Sequence, residues 1–185
     1  MDPKTQATTA VQILTPLVDG ARPDQLDNAT PCAEWRVRDL IGHVIGGGHM
    51  FAAGLRGETF NADPTTDLVG ADHRAAFRQA IDGFTTALAG TDELDAPVVL
   101  PFGTLPAAAA LQLAAGDLLV HAWDLARATG QAFDPPADFV EASLGFFQMA
   151  VDDSMRAAGL FGPAVAVADT EPPLVRLLAH AGRQV

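Results

Sequence analysis

The chain has 185 residues, with 11 Lys and Arg against 23 Asp and Glu; the resulting formal charge of −12 disfavours nucleic acid and anionic membrane as partners, because both recruit basic patches. Apolar residues make up 49% of it and Cys32 is the single cysteine, a composition that buries a core without disulfides and suits a reducing compartment. The start Met1-Asp2-Pro3-Lys4-Thr5 lacks a signal-peptide pattern, and the apolar run Ala107–Val120 is interrupted and too short for a bilayer, so one cytoplasmic domain spanning 1–185 is expected.

Alanine and leucine favour helix, and the absence of Tyr together with few Val-Ile-Thr alternations argues against a sheet-dominated fold. A first helix is predicted from Thr8 to Val18, with Val11, Leu14, Leu17 and Val18 on one stripe and a stop at Gly20. The link Ala21–Pro31 is rich in Asp, Asn and Pro and reads as turns. A second helix spans Val37–Leu55, where Val37, Leu40, Ile41, Val44 and Ile45 form the stripe and Asp39 sits in the dipole-favoured first turn. Gly46-Gly47-Gly48 inside it costs about 1 kcal/mol per glycine against alanine, and predicts either a kink or open space beside the helix.

Asn61–Gly70 reads as a loop and Ala71–Leu88 as a third helix, carrying Ala75, Phe77, Ile81, Phe84 and Leu88 and ending near Gly90. Pro97–Pro106 has too much Pro and Gly for helix and suits a short hairpin. A fourth helix runs from Pro106 through Ala128 to a stop at Gly130. A fifth covers Pro136–Ala157, with Phe139, Leu144, Phe146 or Phe147, and Val151 for the core, and a last turn lies at Leu174–Ala179. The pattern is that of an all-α, up-and-down helical bundle with small decorations.

The fourth helix holds the most informative residues. Asp117 and His121 stand four apart, and at about 100° per residue Asp117, His121 and Asp124 fall within about 60° of one another. A carboxylate and an imidazole on one face suit a divalent ion, and His43, at the edge of the second helix's stripe, is the best candidate for a third ligand. Three such ligands leave a coordination position open, as in catalytic sites. Asp124 would then orient a ligand imidazole or a bound water, and Arg127 reaches Asp124 or solvent. Gly46 and Gly47, one turn on from His43, would leave room for a ligand. Read alone, an Asp–His pair at this spacing equally suits a simple hydrogen-bonded pair.

The other chemistry-bearing residues read as structural. His49 faces away from His43, His73 lies at an exposed helix start, and His180 is near the end of the chain. Cys32 suits packing more than nucleophilic attack, and Trp35 suits closing one end of the bundle more than stacking on a ligand. Arg56 and Arg127 read as surface ion-pairing residues. Ser143 and Ser154 have no His–acid arrangement, and the glycine run lacks the Lys-Ser/Thr of a phosphate loop.

The segments Thr30-Pro31-Cys32-Ala33-Glu34-Trp35-Arg36-Val37-Arg38-Asp39-Leu40-Ile41-Gly42-His43 and Asp117-Leu-Leu-Val-His121-Ala-Trp-Asp124-Leu-Ala-Arg127-Ala-Thr-Gly130-Gln131, with the tail Leu177–Arg183, resemble the mycothiol-dependent maleylpyruvate isomerase family, in its actinobacterial metal-binding branch within the DinB/YfiT-like group. The resemblance covers nearly the whole chain. It implies a four-helix bundle in which His43, Asp117 and His121 hold a divalent metal, usually zinc, with nickel as the alternative. It further implies a low-molecular-weight thiol cofactor such as mycothiol or bacillithiol. The isomerase proper has Glu where this chain has Asp117, and many relatives have His; the shorter arm draws an ion nearer its helix. The isomerase also carries a C-terminal domain that finds no counterpart in this sequence, which argues against maleylpyruvate itself as substrate.

The leading expectation is a metal-dependent thiol transferase or isomerase acting on a small electrophile. A second is a non-catalytic metal- or ligand-binding bundle, which a fourth ligand from Asp124 would favour. A third is a helical dimerisation protein in which Asp117 and His121 only hydrogen-bond. A homodimer is compatible with all three.

Overall fold

Seven helices and one hairpin account for the regular structure among the described residues of the computed structural model, which are 1–32, 35–61 and 66–185. The order is α1 (Pro3–Gly20), a 3-10 turn (Pro23–Gln25), α2 (Val37–Leu55), α3 (His73–Ala89), β1 (Pro97–Leu100), β2 (Gly103–Pro106), α4 (Ala107–Thr129), α5 (Ala137–Ala150), α6 (Asp153–Ala157) and α7 (Pro173–His180). Helix α1 packs on α4 and α3, and α2 on α3 and α4, which makes a four-helix bundle; α5 lies against α4 and also packs on α7. The core is filled by side chains such as Leu14, Leu40, Ile41, Phe77, Phe84, Leu119 and Leu125, all fully buried. No helix among the described residues is long and apolar enough to cross a membrane.

Helix α1 begins five residues before the predicted start. Asp2 caps it by accepting from the Thr5 backbone N–H at 3.0 Å, and Pro3 takes the first helical position, where a missing N–H costs nothing. Pro16 lies inside α1 on its exposed side, where water can meet the carbonyl that the ring leaves unpaired. Helix α2 has the predicted bounds, and Asp39 closes its first turn by accepting from the Arg36 backbone N–H at 2.9 Å. The predicted loop Asn61–Gly70 has neither helix nor strand at its described positions, and residues 62–65 lie outside them.

The predicted hairpin is present: β1 and β2 pair antiparallel, with Val98 opposite Leu105 and Leu100 opposite Gly103. It sits close on α2. A Cβ on Gly54 would come within 2.9 Å of Val98 Cγ1 and 3.2 Å of the Val99 carbonyl. Helix α4 ends on Gly130 at φ 69°, a left-handed cap that glycine adopts without strain.

The predicted fifth helix is in fact two. Helix α5 stops at Ala150, Val151 is extended at φ −92° and ψ 92°, and Asp152 caps α6 by accepting from Ser154 N–H at 2.9 Å and Met155 N–H at 3.1 Å. The hydrophobic period runs through this break, but Asp152-Asp153-Ser154 favours a new start over continuation. The last helix ends in a Schellman motif. Arg183 N–H donates to the Leu178 carbonyl at 2.8 Å and Gly182 N–H to Ala179 at 3.0 Å, with Gly182 at φ 88°. A Cβ on Gly182 would fall 3.1 Å from both Gly162 Cα and the Pro163 carbonyl, so Gly182 packs closely against the loop after α6.

Candidate metal centre

Helices α2 and α4 bring His43 together with Asp117 and His121. His43 Nε2 lies 3.4 Å from Asp117 Oδ2, and His121 Nε2 lies 3.4 Å from Asp117 Oδ1. One ligand atom from each of the three falls within 4.8 Å of the others. The carboxylate thus faces two imidazoles drawn from different helices. The side chain of His121 is 6% exposed, that of Asp117 27% and that of His43 39%, so the group opens to solvent on its α2 side.

Behind His121 is a second layer. Its Nδ1 lies 3.1 Å from Asp124 Oδ2, on the opposite ring edge from Asp117. Asp124 is fully buried, and Arg183 donates to it from Nη2 at 2.7 Å and from Nε at 3.2 Å. Arg183 Nη1 donates in turn to the Ala181 carbonyl at 2.9 Å. The Schellman turn therefore delivers a nearly buried guanidinium to a buried carboxylate, which fixes one imidazole. Of the two places open to Arg127, Asp124 or solvent, it takes solvent: it is exposed and sits 5.9 Å over the Trp123 ring.

Trp35 is part of the same cluster. Its ring lies 5.6 Å from that of His121, nearly parallel at 19°, and 4.8 Å from that of His43. Sequence reasoning put Trp35 at a bundle end. Thr30 Oγ1 donates to the Trp35 carbonyl at 2.9 Å and Ala29 forms an antiparallel bridge with Arg36, and these contacts hold the indole beside the imidazoles.

The charges reinforce one another. Burial opposes ionisation of Asp117, yet His121 and then His43 outweigh it and hold the carboxyl far below its usual range. Burial also opposes charge on His121, but Asp117 and Asp124 outweigh it, and the imidazole is pushed up to about 9. Asp124 is likewise held down against its burial by His121 and Arg183. Burial pushes the Cys32 thiol up, away from thiolate.

Two cavities adjoin the triad. A cleft of about 440 Å³ is walled by Cys32, Trp35, His43, His121, Pro163 and Arg183, among others. A smaller one of about 90 Å³ adjoins it, shares His43, Asp117, Leu160 and Phe161 as walls, and reaches Gly47. Nothing lies within 4 Å of where a Gly47 Cβ would be, whereas Gly46 faces Leu68 and Gly48 packs on Ala80 of α3. Of the glycine run, Gly47 alone opens space, and α2 continues through all three.

The remaining histidines are placed apart from the triad. His73 is 5% exposed, not at a wet helix start, and its Nε2 pairs with the Ala21 carbonyl at 3.2 Å. His180 pairs with the Phe147 carbonyl at 3.1 Å. Arg56 pairs with Glu58 on the surface. Ser143 is fully buried, and Ser154 is engaged with Asp152.

A four-helix bundle with a His–Asp–His group at the mouth of a cleft defines the class. Residues 7–126 match the family described as the mycothiol maleylpyruvate isomerase N-terminal domain, and the chain belongs to that family. It is 33% identical, over 191 aligned positions covering all of both chains, to the uncharacterized proteins MT0763 and Rv0738 of Mycobacterium tuberculosis, strains CDC 1551 / Oshkosh and ATCC 25618 / H37Rv respectively. Its fold is that of the mycothiol-dependent maleylpyruvate isomerase. The crystal structure of that enzyme superposes with a TM-score of 0.67 at 16% identity over 85% of this chain and 71% of the other. A histidine-to-alanine variant of the isomerase gives 0.63 at 17% identity over 78% of this chain and 66% of the other, just under two thirds of its length.

Proposed function

We propose that the protein is a metal-dependent enzyme that uses a mycothiol-type thiol to transfer to, or isomerise, a small electrophile, with His43, Asp117 and His121 as the metal ligands. The observation that carries this reading is the triad's geometry: three ligand atoms within 4.8 Å, on the wall of a cleft large enough for a second molecule. The donor set fits a borderline ion such as zinc, since two imidazole nitrogens and a carboxylate converge and the far nitrogen of His121 is held by Asp124. Asp124 lies behind His121, paired with Arg183, which supports an open rather than a four-ligand site.

A bound ion would supply one thing, stabilisation of the cofactor thiol as the thiolate that attacks. The residues do the rest. Asp124, paired with Arg183, accepts a hydrogen bond from Nδ1–H of His121 and so presents Nε2 toward Asp117. Trp35 stacks over the face of His121. The wider cleft, with Pro163 and Gln184 on its walls, has room for the polar body of a thiol cofactor. The membership of this chain in the mycothiol maleylpyruvate isomerase family supports mycothiol as the first thiol to try.

The test is spectroscopic. Cobalt(II)-loaded protein titrated with mycothiol should develop a sulfur-to-cobalt charge-transfer band, and His43→Ala should lose it. No band, together with no mycothiol-dependent consumption of any electrophile by the zinc form, would overturn the reading.

A further inference from the structure

The thiol-enzyme reading above gives the wider cleft to the thiol and leaves the smaller cavity for the second reactant. That cavity is a groove between α2 and α4 that begins at His43 and Asp117. Gly47, Met50 and Phe51 follow His43 at the next two turns of α2, and Leu113 lies one turn before Asp117 on α4. From His43 to Phe51 is about 12 Å of helix at 1.5 Å per residue. Phe102 of the hairpin turn and Leu160 of the loop after α6 stand along the groove, partly exposed, so its side is open to solvent.

Polarity changes along its length. Among the described residues His43 and Asp117 are the only lining side chains with nitrogen or oxygen atoms, and both stand at one end. An oxygen of the reactant, carbonyl or carboxylate, is accommodated there, because three protein ligands leave a divalent ion an open position. Beyond that end the side chains are aliphatic, aromatic or thioether, and the backbones of α2 and α4 bond within their own helices. A polar arm lying along them gives up water for no partner, whereas an apolar arm removes its own surface and theirs from water.

Gly47 governs the space for such an arm. Nothing lies within 4 Å of where its Cβ would be, while Gly46 and Gly48 face Leu68 and Ala80. A void of about 10 Å³, room for one water at most, borders Gly47, Phe51 and Asp117 as the groove does, so the packing beside Gly47 is open on that side too. We propose that the second reactant is a small electrophile with an oxygen-bearing head, neutral or anionic, and a slender apolar arm. The arm lies along the Gly47–Met50–Leu113 groove, and Gly47 determines the length of arm accepted.

Straight-chain carboxylates test this with one head and a growing arm. Zinc-loaded protein carrying ¹³C-methyl methionine is titrated with acetate, butyrate and hexanoate; Met50 and Met155 report from the groove, and exposed Met149 from outside it. Affinity should rise about two- to fourfold per added methylene, the upper figure corresponding to full burial, with Met149 stationary. Gly47→Leu should remove the dependence on chain length while zinc content holds, and Gly47→Ala, which favours helix, should reduce it. Butan-2-one and hexan-2-one, titrated into zinc-free protein, put the same question to the groove without a metal, and hexan-2-one should bind about fourfold more tightly or better. Affinity independent of chain length in either series would overturn the proposal. So would an undiminished dependence in Gly47→Leu, or displacement of hexan-2-one from zinc-free protein by mycothiol. Zinc uptake measured on the same sample decides the metal site separately: no uptake refutes that site, and the ketone series still decides the groove.

Discussion

Replacing Arg183 by Met should destabilise the protein sharply, although the residue lies two positions before the last residue of the sequence. Its guanidinium is the only Lys or Arg group bonded to Asp124 among the described residues, through contacts of 2.7, 3.2 and 3.3 Å, and Asp124 is fully buried. Methionine keeps the apolar stem but removes the charge and the donors. The carboxylate is then left with His121 alone. Removing one member of a buried ion pair costs about 3–5 kcal/mol, because the remaining charge is stranded. For a chain of this size each kcal/mol lowers Tm by about 2–4 °C, so a fall of about 6–20 °C is expected. Urea unfolding followed by circular dichroism gives the free energy directly, with an unchanged slope showing that both states keep their compactness. The double variant Arg183→Met with Asp124→Leu should recover much of the loss, since no charge is then buried unpaired. An Arg183→Met protein within about 0.5 kcal/mol of wild type would refute the coupling inferred between tail and site.

The metal-free protein should lose stability from pH 6.5 upward as His121, raised to about 9, gives up its proton; the contribution is complete below the ordinary value of 6.5. Asp117 acts in the opposite sense, contributing above its ordinary value of 3.8 and losing that contribution as the pH falls. Tm measured at pH 6 and pH 9 without metal should therefore be higher at pH 6. Zinc should flatten that slope, since it takes the place of the His121 proton, and calorimetry in two buffers should detect about one proton released near pH 7.5. Gly116→Ala should cost about 1–3 kcal/mol by overpacking, because its Cβ would fall 2.2 Å from the buried Phe147 ring that seats α5 on α4; thermal unfolding reads it.

What the sequence made visible was local. The bounds of α2 follow from its apolar stripe and Asp39, the hairpin from its Pro and Gly, and the end of α4 from Gly130. The pairing of Asp117 with His121 follows from helical spacing, and His43 needed only a second helix with its stripe turned inward. Contacts made across the fold were not visible. Arg183 stands 59 residues from Asp124, and no periodic signal announces it; the Gly182-Arg183 pair after an apolar helix end was the one available cue. Trp35 reaches the imidazoles from outside α2, held by Thr30 and by the bridge between Ala29 and Arg36, contacts that no periodicity announces. The place of His73 ahead of a helical stripe predicts solvent exposure, yet the residue is buried and pairs with the Ala21 carbonyl. The break at Val151 failed for the converse reason, since apolar spacing continued while the capping chemistry of Asp152 did not.

The metal site itself is tested most directly by elemental mass spectrometry on tag-free protein beside His43→Ala and His121→Ala. About one equivalent of zinc or nickel in the wild type, absent from both folded variants, is the expected result for a three-ligand site. A wild-type protein without metal that takes none up on titration would contradict the account, and Asp117 and His121 would then be a hydrogen-bonded pair in a helical bundle.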